Sequence, residues 1–143
     1  MRSKYVIWFA GGDRRQQYAA ARLAQRLEAE VHVLGVLPEH RQVSGVLWCP
    51  EGVPAVPCDL LVLPIPASAD GETVAAPLGP SPIPLAQLAA GTKSGALVLG
   101  GKCSPAVRTW FGAQQVEDYL GREELCLANA VPTAEGAIQT AME

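Results

Sequence analysis

The chain opens on an unbroken apolar run, Tyr5-Val6-Ile7-Trp8-Phe9-Ala10. A run of this kind predicts a strand covered on both faces, as in a parallel sheet. Gly11-Gly12 ends it, and the apolar positions Ala20, Leu23, Ala24 and Leu27 then recur at three- and four-residue spacing. That period predicts a helix from Arg14 to Glu30 with one stripe turned toward the sheet. Asp13 stands as its N-cap, and Gln16, three residues on, completes a capping-box-like pair. Val31 to Val36 reads as a second strand, Val46-Leu47-Trp48 as a short edge strand, and Leu60 to Leu63 as a buried strand ended by Pro64-Ile65-Pro66. Pro84 to Ala90 predicts a short helix, Ala96 to Leu99 a strand stopped by Gly100-Gly101, and Ala106 to Phe111 another short helix. Val116 to Leu120 forms a further turn, and Leu125 to Ala128 a last strand.

Strand and helix alternate, which predicts a three-layer α/β/α domain with a mostly parallel sheet of about five strands in flavodoxin-like order. In such folds ligands bind beyond the carboxyl ends of the strands, so the Gly11-to-Gln16 turn is the first place to seek a site. It lacks the third glycine of a dinucleotide fingerprint, because Arg15 and Gln16 occupy that neighbourhood. Between Ala67 and Pro84 lies a stretch rich in Pro, Gly, Ser and Ala, whose only charges are Asp70 and Glu72. A loop this long in a compact domain reads as functional or mobile.

Composition narrows the class. With 143 residues the chain makes one domain with a real core, and its 49% apolar and 17% charged residues suit a sheet covered on both faces. A net charge of −3 and the lack of a basic cluster argue against nucleic acid. No apolar stretch reaches the roughly 20 residues of a membrane helix, and Met-Arg-Ser-Lys leads directly into the first strand without a cleavage site. These features predict a cytoplasmic protein. Cys49, Cys58, Cys103 and Cys126 form no Cys-x-x-Cys pair, and His32 and His40 are the only histidines. Reduced, unpaired thiols and no structural zinc are expected. At the other end, Val131-Pro132 leads into Thr133 and an apolar helix that stops at Glu143 after barely three turns. This predicts a longer protein cut at a domain boundary.

Four segments carry a family resemblance. Gly11 to Gln16 reads Gly-Gly-Asp-x-Arg-Gln; Leu63-Pro64 precedes a small, polar loop through Ser68; Val98 to Gly101 is a strand ending in glycine; and Val131 to Ala137 reads Val-Pro-Thr-Ala-Glu-Gly-Ala. In this order and spacing the chain resembles the N-terminal domain of the dipicolinate synthase A-subunit. The resemblance implies a two-domain oxidoreductase related in architecture to 2-hydroxyacid and alanine dehydrogenases. Its second domain is a Rossmann unit that binds NADP, and it acts with a flavoprotein-like B-subunit. It converts a cyclic hydroxy-tetrahydrodipicolinate into dipicolinate, the spore chelator, in the mother cell of a sporulating bacterium. By that resemblance residues 1–143 are the substrate-side domain, with no cofactor of its own and no turnover alone.

The resemblance also assigns residues. Arg15 matches the family's arginine, and a guanidinium can grip one carboxylate of a dianionic substrate bidentately; a solvated helix-end arginine paired with Asp13 or Glu135 is the plainer reading. Asp13 and Gln16 join the substrate-binding set, although capping alone accounts for both. Ser68, Gly101, Lys102 and Thr133 follow strand ends or open the last helix and complete the set. Ser68 is equally a turn residue and Lys102 an exposed lysine. Glu135 is the candidate general acid or base, a role that needs burial to raise its pKa; an acid favoured by the nearby helix N-terminus is the plainer reading. The aromatic residues Trp8, Trp48, Trp110, Tyr18 and Tyr119 are expected in packing. Two other readings stand beside this one: a stand-alone flavodoxin-like ligand-binding module, and a partner-docking domain. In the latter, exposed Trp110-Phe111 and the apolar last helix make a homodimer contact. A phospho-receiver is excluded, since Leu63-Pro64-Ile65-Pro66 supplies no aspartate where one is needed.

Overall fold

A computed structural model describes residues 5–26, 29–50 and 52–118. Four strands come first: β1 (Tyr5–Ala10), β2 (Ala29–Leu34), β3 (Leu47–Cys49) and β4 (Cys58–Val62). A two-stranded antiparallel hairpin of β5 (Thr73–Val74) and β6 (Ile83–Pro84) follows, and then β7 (Thr92–Gly100) and β8 (Gln115–Asp118). The helices are α1 (Arg14–Arg26), α2 (Leu85–Ala90) and α3 (Pro105–Trp110).

The main sheet has six strands in the order β3-β2-β1-β4-β7-β8, and every pairing in it is parallel. The run β2-β1-β4-β7-β8 is the flavodoxin-like order, with three-residue β3 added outside β2. One face packs on α1, through Ile7, Phe9, Val31, Val33 and Leu60 against Ala19, Ala20 and Leu23. The other face packs on α2, α3 and the hairpin, through Trp8, Leu61 and Val98 against Leu85, Leu88, Val107 and Phe111. Adjacent residues of β1 thus serve opposite layers, which is why the strand is apolar without alternation.

Several boundaries differ from expectation. α1 ends at Arg26, and Ala29 and Glu30 already pair with Tyr5 and Val6, so β2 starts two residues earlier than the apolar pattern suggests. It also ends earlier, at Leu34, because Gly35 turns the chain with φ +78°. β7 extends back to Thr92 beyond the expected Ala96. Val116 to Asp118, read as a turn, belong to β8 and pair with Val98 to Gly100. Tyr18, expected to pack, lies on the outer face of α1 and is 54% exposed, and Trp110 is 41% exposed while Phe111 beside it is buried. Tyr119, Cys126, the expected strand 125–128 and the expected helix from Thr133 lie outside the described residues.

Candidate functional site

The connections set the site. From β1 the chain passes through α1 to β2 on one side, whereas β4, β7 and β8 succeed one another on the other side with α2 and α3 on the opposite face. The strand order therefore reverses between β1 and β4, and the crevice at their carboxyl ends is the topological switch point. After β1 it is edged by Gly11, Gly12, Asp13, Arg15 and Gln16, and after β4 by Leu63, Pro64 and Ile65.

Asp13 caps α1 as expected: its Oδ1 accepts the Arg15 N–H at 2.9 Å. The same carboxylate holds the Arg15 side chain, with Nε at 3.3 and 3.2 Å and Nη2 at 3.0 Å. Partial burial raises the Asp13 carboxyl, but the Arg15 hydrogen bonds and charge outweigh it and leave the pKa below the ordinary value. Both partners are more than half exposed, at 62% and 53%. An ion pair this open is worth roughly 0–1 kcal/mol.

Gln16 departs from expectation. No capping box forms; the side chain turns inward, is 2% exposed, and neither Nε2 nor Oε1 has a hydrogen-bond partner among the described residues. A Cβ on Gly12 would stand 2.5 Å from Gln16 Cγ and 3.1 Å from Pro64 Cβ, and Gly12 has φ +78°. Only glycine lets the β1 turn, the β4 turn and Gln16 meet this closely.

The long loop is a built structure. Gly12 N–H donates to Ala75 O at 3.0 Å, Gly11 N–H to Leu34 O at 3.0 Å, and Leu37 N–H to Leu78 O at 2.8 Å. A Cβ on Gly79 would stand 2.4 Å from Gly35 O. The hairpin is thereby strapped over the carboxyl ends of β1 and β2. The β1 turn has committed its Gly11 and Gly12 amide donors to these contacts, so it does not fit a dinucleotide pyrophosphate, which needs them.

Ser68 serves the same loop. Its Oγ donates within reach of Thr73 O (2.6 Å) and Asp70 Oδ1 (3.1 Å) and accepts from Gly71 N–H (2.9 Å). Asp70 accepts the N–H groups of Glu72 and Thr73, each at 2.8 Å, and the Thr73 hydroxyl at 2.9 Å. Those donors hold its carboxyl well below the usual carboxylate range. Gly101 stitches the β4 and β7 ends: its N–H donates to Pro64 O at 3.3 Å and its carbonyl accepts from Ala67 N–H at 2.7 Å. A Cβ there would meet Ile65 Cγ1 at 2.3 Å. Lys102 is exposed and left-handed, with φ 54°, and its N–H and that of Cys103 are accepted by Asp118 at 3.2 and 2.8 Å. Thr133 and Glu135 lie outside the described residues.

The structure thus brings Asp13, Arg15 and Gln16 to one crevice edge and sets Gly101 against the Ile65 side of it, while the Ser68 hydroxyl is engaged within its own loop. Sequence reasoning looked to Gly11 through Gln16 but missed the close approach of Pro64 and the Ala75 strap; the small residues Gly35, Ala75, Ala76 and Gly79 were the available signal for two backbones in close contact. A separate cleft of about 250 Å³ is lined, among the described residues, by the uncharged Pro50, Gly52, Ser81, Pro82, Ile83, Pro84 and Gln87. Cys58 and Cys103 are buried free thiols. No helix among the described residues is long and apolar enough to cross a membrane.

Fold and crevice together define an open, doubly wound α/β domain with its candidate site at the switch point. The family model for the N-terminal domain of the dipicolinate synthase A-subunit matches residues 6–119, and the chain belongs to that family. The fold is shared with the crystal structure of dipicolinate synthase, A chain, from Bacillus subtilis. That match has a TM-score of 0.69 and 20% identity over 99% of this chain and 49% of the other. The dipicolinate synthase A-subunit from Bacillus halodurans gives 0.67 and 20% over 96% and 48%. The chain spans about half the length of these proteins. Among curated proteins, none matches.

Proposed function

We propose that the chain is the substrate-side domain of a dipicolinate synthase, an NADP-dependent oxidoreductase that converts a cyclic hydroxy-tetrahydrodipicolinate into dipicolinate during spore formation. In this reading NADP belongs to a further Rossmann domain, where it would accept the hydride. Residues 1–143 are inactive alone, and the full enzyme works with a flavoprotein-like B-subunit in the mother-cell cytoplasm. The observation that carries the reading is the position of Arg15, paired with exposed Asp13 in the first turn of α1 at the switch point of a domain of this family. One substrate carboxylate takes Arg15 from Asp13, aided by the positive end of α1. Gly12 and Pro64 give the ring a tight wall. Glu135 is the proposed acid or base for loss of the ring hydroxyl, with Thr133 near it in sequence, and Lys102 adds positive charge at the β7 end.

Calorimetric titration of residues 1–143 with pyridine-2,6-dicarboxylate tests this. Half a cleft is expected to bind near millimolar, about −4 kcal/mol. Saturable binding that Arg15→Ala abolishes is the expected result. Binding that Arg15→Ala leaves intact would remove the reading's main support, and NADP binding by the chain alone would overturn the division of labour.

A further inference from the structure

Two glutamines sit side by side in α1, both buried, and the fold treats them differently. Gln17 is fully satisfied: its Nε2 donates to His40 O at 3.0 Å and its Oε1 accepts the Gln42 N–H at 2.7 Å. It locks the segment after β2 onto the helix, an ordinary structural task. Gln16, equally enclosed, has neither its donor nor its acceptor matched among the described residues. A buried carboxamide without partners destabilises the fold, and native structures rarely keep one without a use.

Its place suggests that use. Gln16 lies where the β1 and β4 turns meet, packed against Gly12 and near Pro64, one layer beneath exposed Asp13 and Arg15. A leucine of similar size would fill this space without the electrostatic penalty. We propose that Gln16 is the specificity-determining residue of the switch-point crevice, matching a carboxylate-bearing ring that carries a neighbouring N–H or O–H. A carboxamide presents a donor and an acceptor side by side. Nε2 donates to the ligand carboxylate, and Oε1 accepts the adjacent ring N–H or hydroxyl. An aromatic pyridine nitrogen between two carboxylates presents acceptors only, and sets its lone pair against Oε1. The crevice therefore holds the reduced ring in preference to the aromatic one, which favours release of an aromatised product. Gly12 and Pro64 must part for the ligand to reach the carboxamide, and the left-handed Gly11-Gly12 pair is a natural place for that movement.

This inference rests on the proposed function, and its test separates the two. Wild-type chain, Gln16→Leu and Gln16→Met are melted, then titrated with piperidine-2,6-dicarboxylate and pyridine-2,6-dicarboxylate. Wild type is expected to prefer the saturated ring by about tenfold or more, since a site built to hydrogen-bond an N–H rejects the analogue lacking it. Gln16→Leu is expected to melt above wild type and to lose the preference. A lower melting temperature in both variants would mean that the carboxamide holds the fold together, and would overturn the inference. So would a preference that survives in Gln16→Leu, or equal binding of both rings by wild type, which leaves the proposed function standing. Binding of neither ring by wild type overturns the proposed function and the inference with it.

Discussion

Replacing Gly11 by alanine puts the strap over β1 to a quantitative test. Gly11 has φ +60°, and a Cβ there would stand 2.4 Å from the Ala75 carbonyl oxygen and 3.0 Å from Val74 Cγ1. The left-handed conformation costs an L-residue about 1–2 kcal/mol. The oxygen belongs to backbone, so the hairpin must retreat by about 1 Å to reach ordinary contact. That movement breaks the 3.0 Å hydrogen bond from Gly12 N–H to Ala75 O, worth about 1 kcal/mol. Together the loss is about 2–3 kcal/mol. With an unfolding entropy of about 0.3 kcal/mol per kelvin for 143 residues, a 3 kcal/mol loss lowers Tm by about 10 °C. Gly45→Ala is the matched control: φ is +86°, but nothing lies within 4 Å of its Cβ, so only the conformational cost of about 1–2 kcal/mol remains. Thermal and urea unfolding followed by circular dichroism measure both. If Gly11→Ala is no worse than Gly45→Ala, the strap over the β1 end is not there.

Gly91→Ala should also destabilise, by about 1–3 kcal/mol or more, because its Cβ would come 2.2 Å from Cη2 of fully buried Trp8; a shift in tryptophan emission should accompany the lower urea midpoint. Asp13→Asn keeps a good N-cap while weakening the hold on Arg15, so calorimetry should find tighter pyridine-2,6-dicarboxylate binding with stability nearly unchanged, whereas Asp13→Ala costs about 1 kcal/mol. The Asp70 carboxyl is depressed, so its stabilisation of the 68–74 turn is present above the ordinary aspartate pKa of 3.8 and is lost as pH falls through the lower folded value. The Glu72 and Thr73 amide resonances should report that loss in wild type, and Asp70→Asn should abolish the titration. Burial pushes the Cys58 thiol up to about 12 and the Cys103 thiol up to about 11; peptide mapping after alkylation at pH 8 should find both largely unmodified in the native chain and modified after unfolding in urea.

The layers were legible because burial on both faces leaves a plain mark in the sequence. Tyr5 to Ala10 and Leu60 to Leu63 needed no alternation to be read as central strands, and the Ala20-Leu23 stripe gave α1 its inward face. β8 escaped because Gln115, Glu117 and Asp118 are exposed at an edge, where one row of backbone pairing suffices and no apolar pattern is required. The hairpin escaped for a related reason. It is held by backbone hydrogen bonds and by glycines in close contact, and neither produces hydrophobic periodicity. The N-cap role of Asp13 was legible, since a cap acts on the turn directly after it. Gln16 is three residues beyond a cap, which pointed to a capping box, but Pro64 and Gly12 draw it into the crevice instead. That contact joins turns about 50 residues apart, and local spacing carries no trace of it.

In the proposed function the β1–β4 switch point receives a dicarboxylate. The most direct measurement is a map of backbone and side-chain amide NMR shifts in the 143-residue chain on titration with piperidine-2,6-dicarboxylate. The largest saturable changes are expected on Gly11 to Gln16, including the Gln16 side-chain NH2, and on Leu63 and Ile65. Changes centred instead on Gly52, Ser81 and Gln87, or spread evenly over the surface, would contradict it.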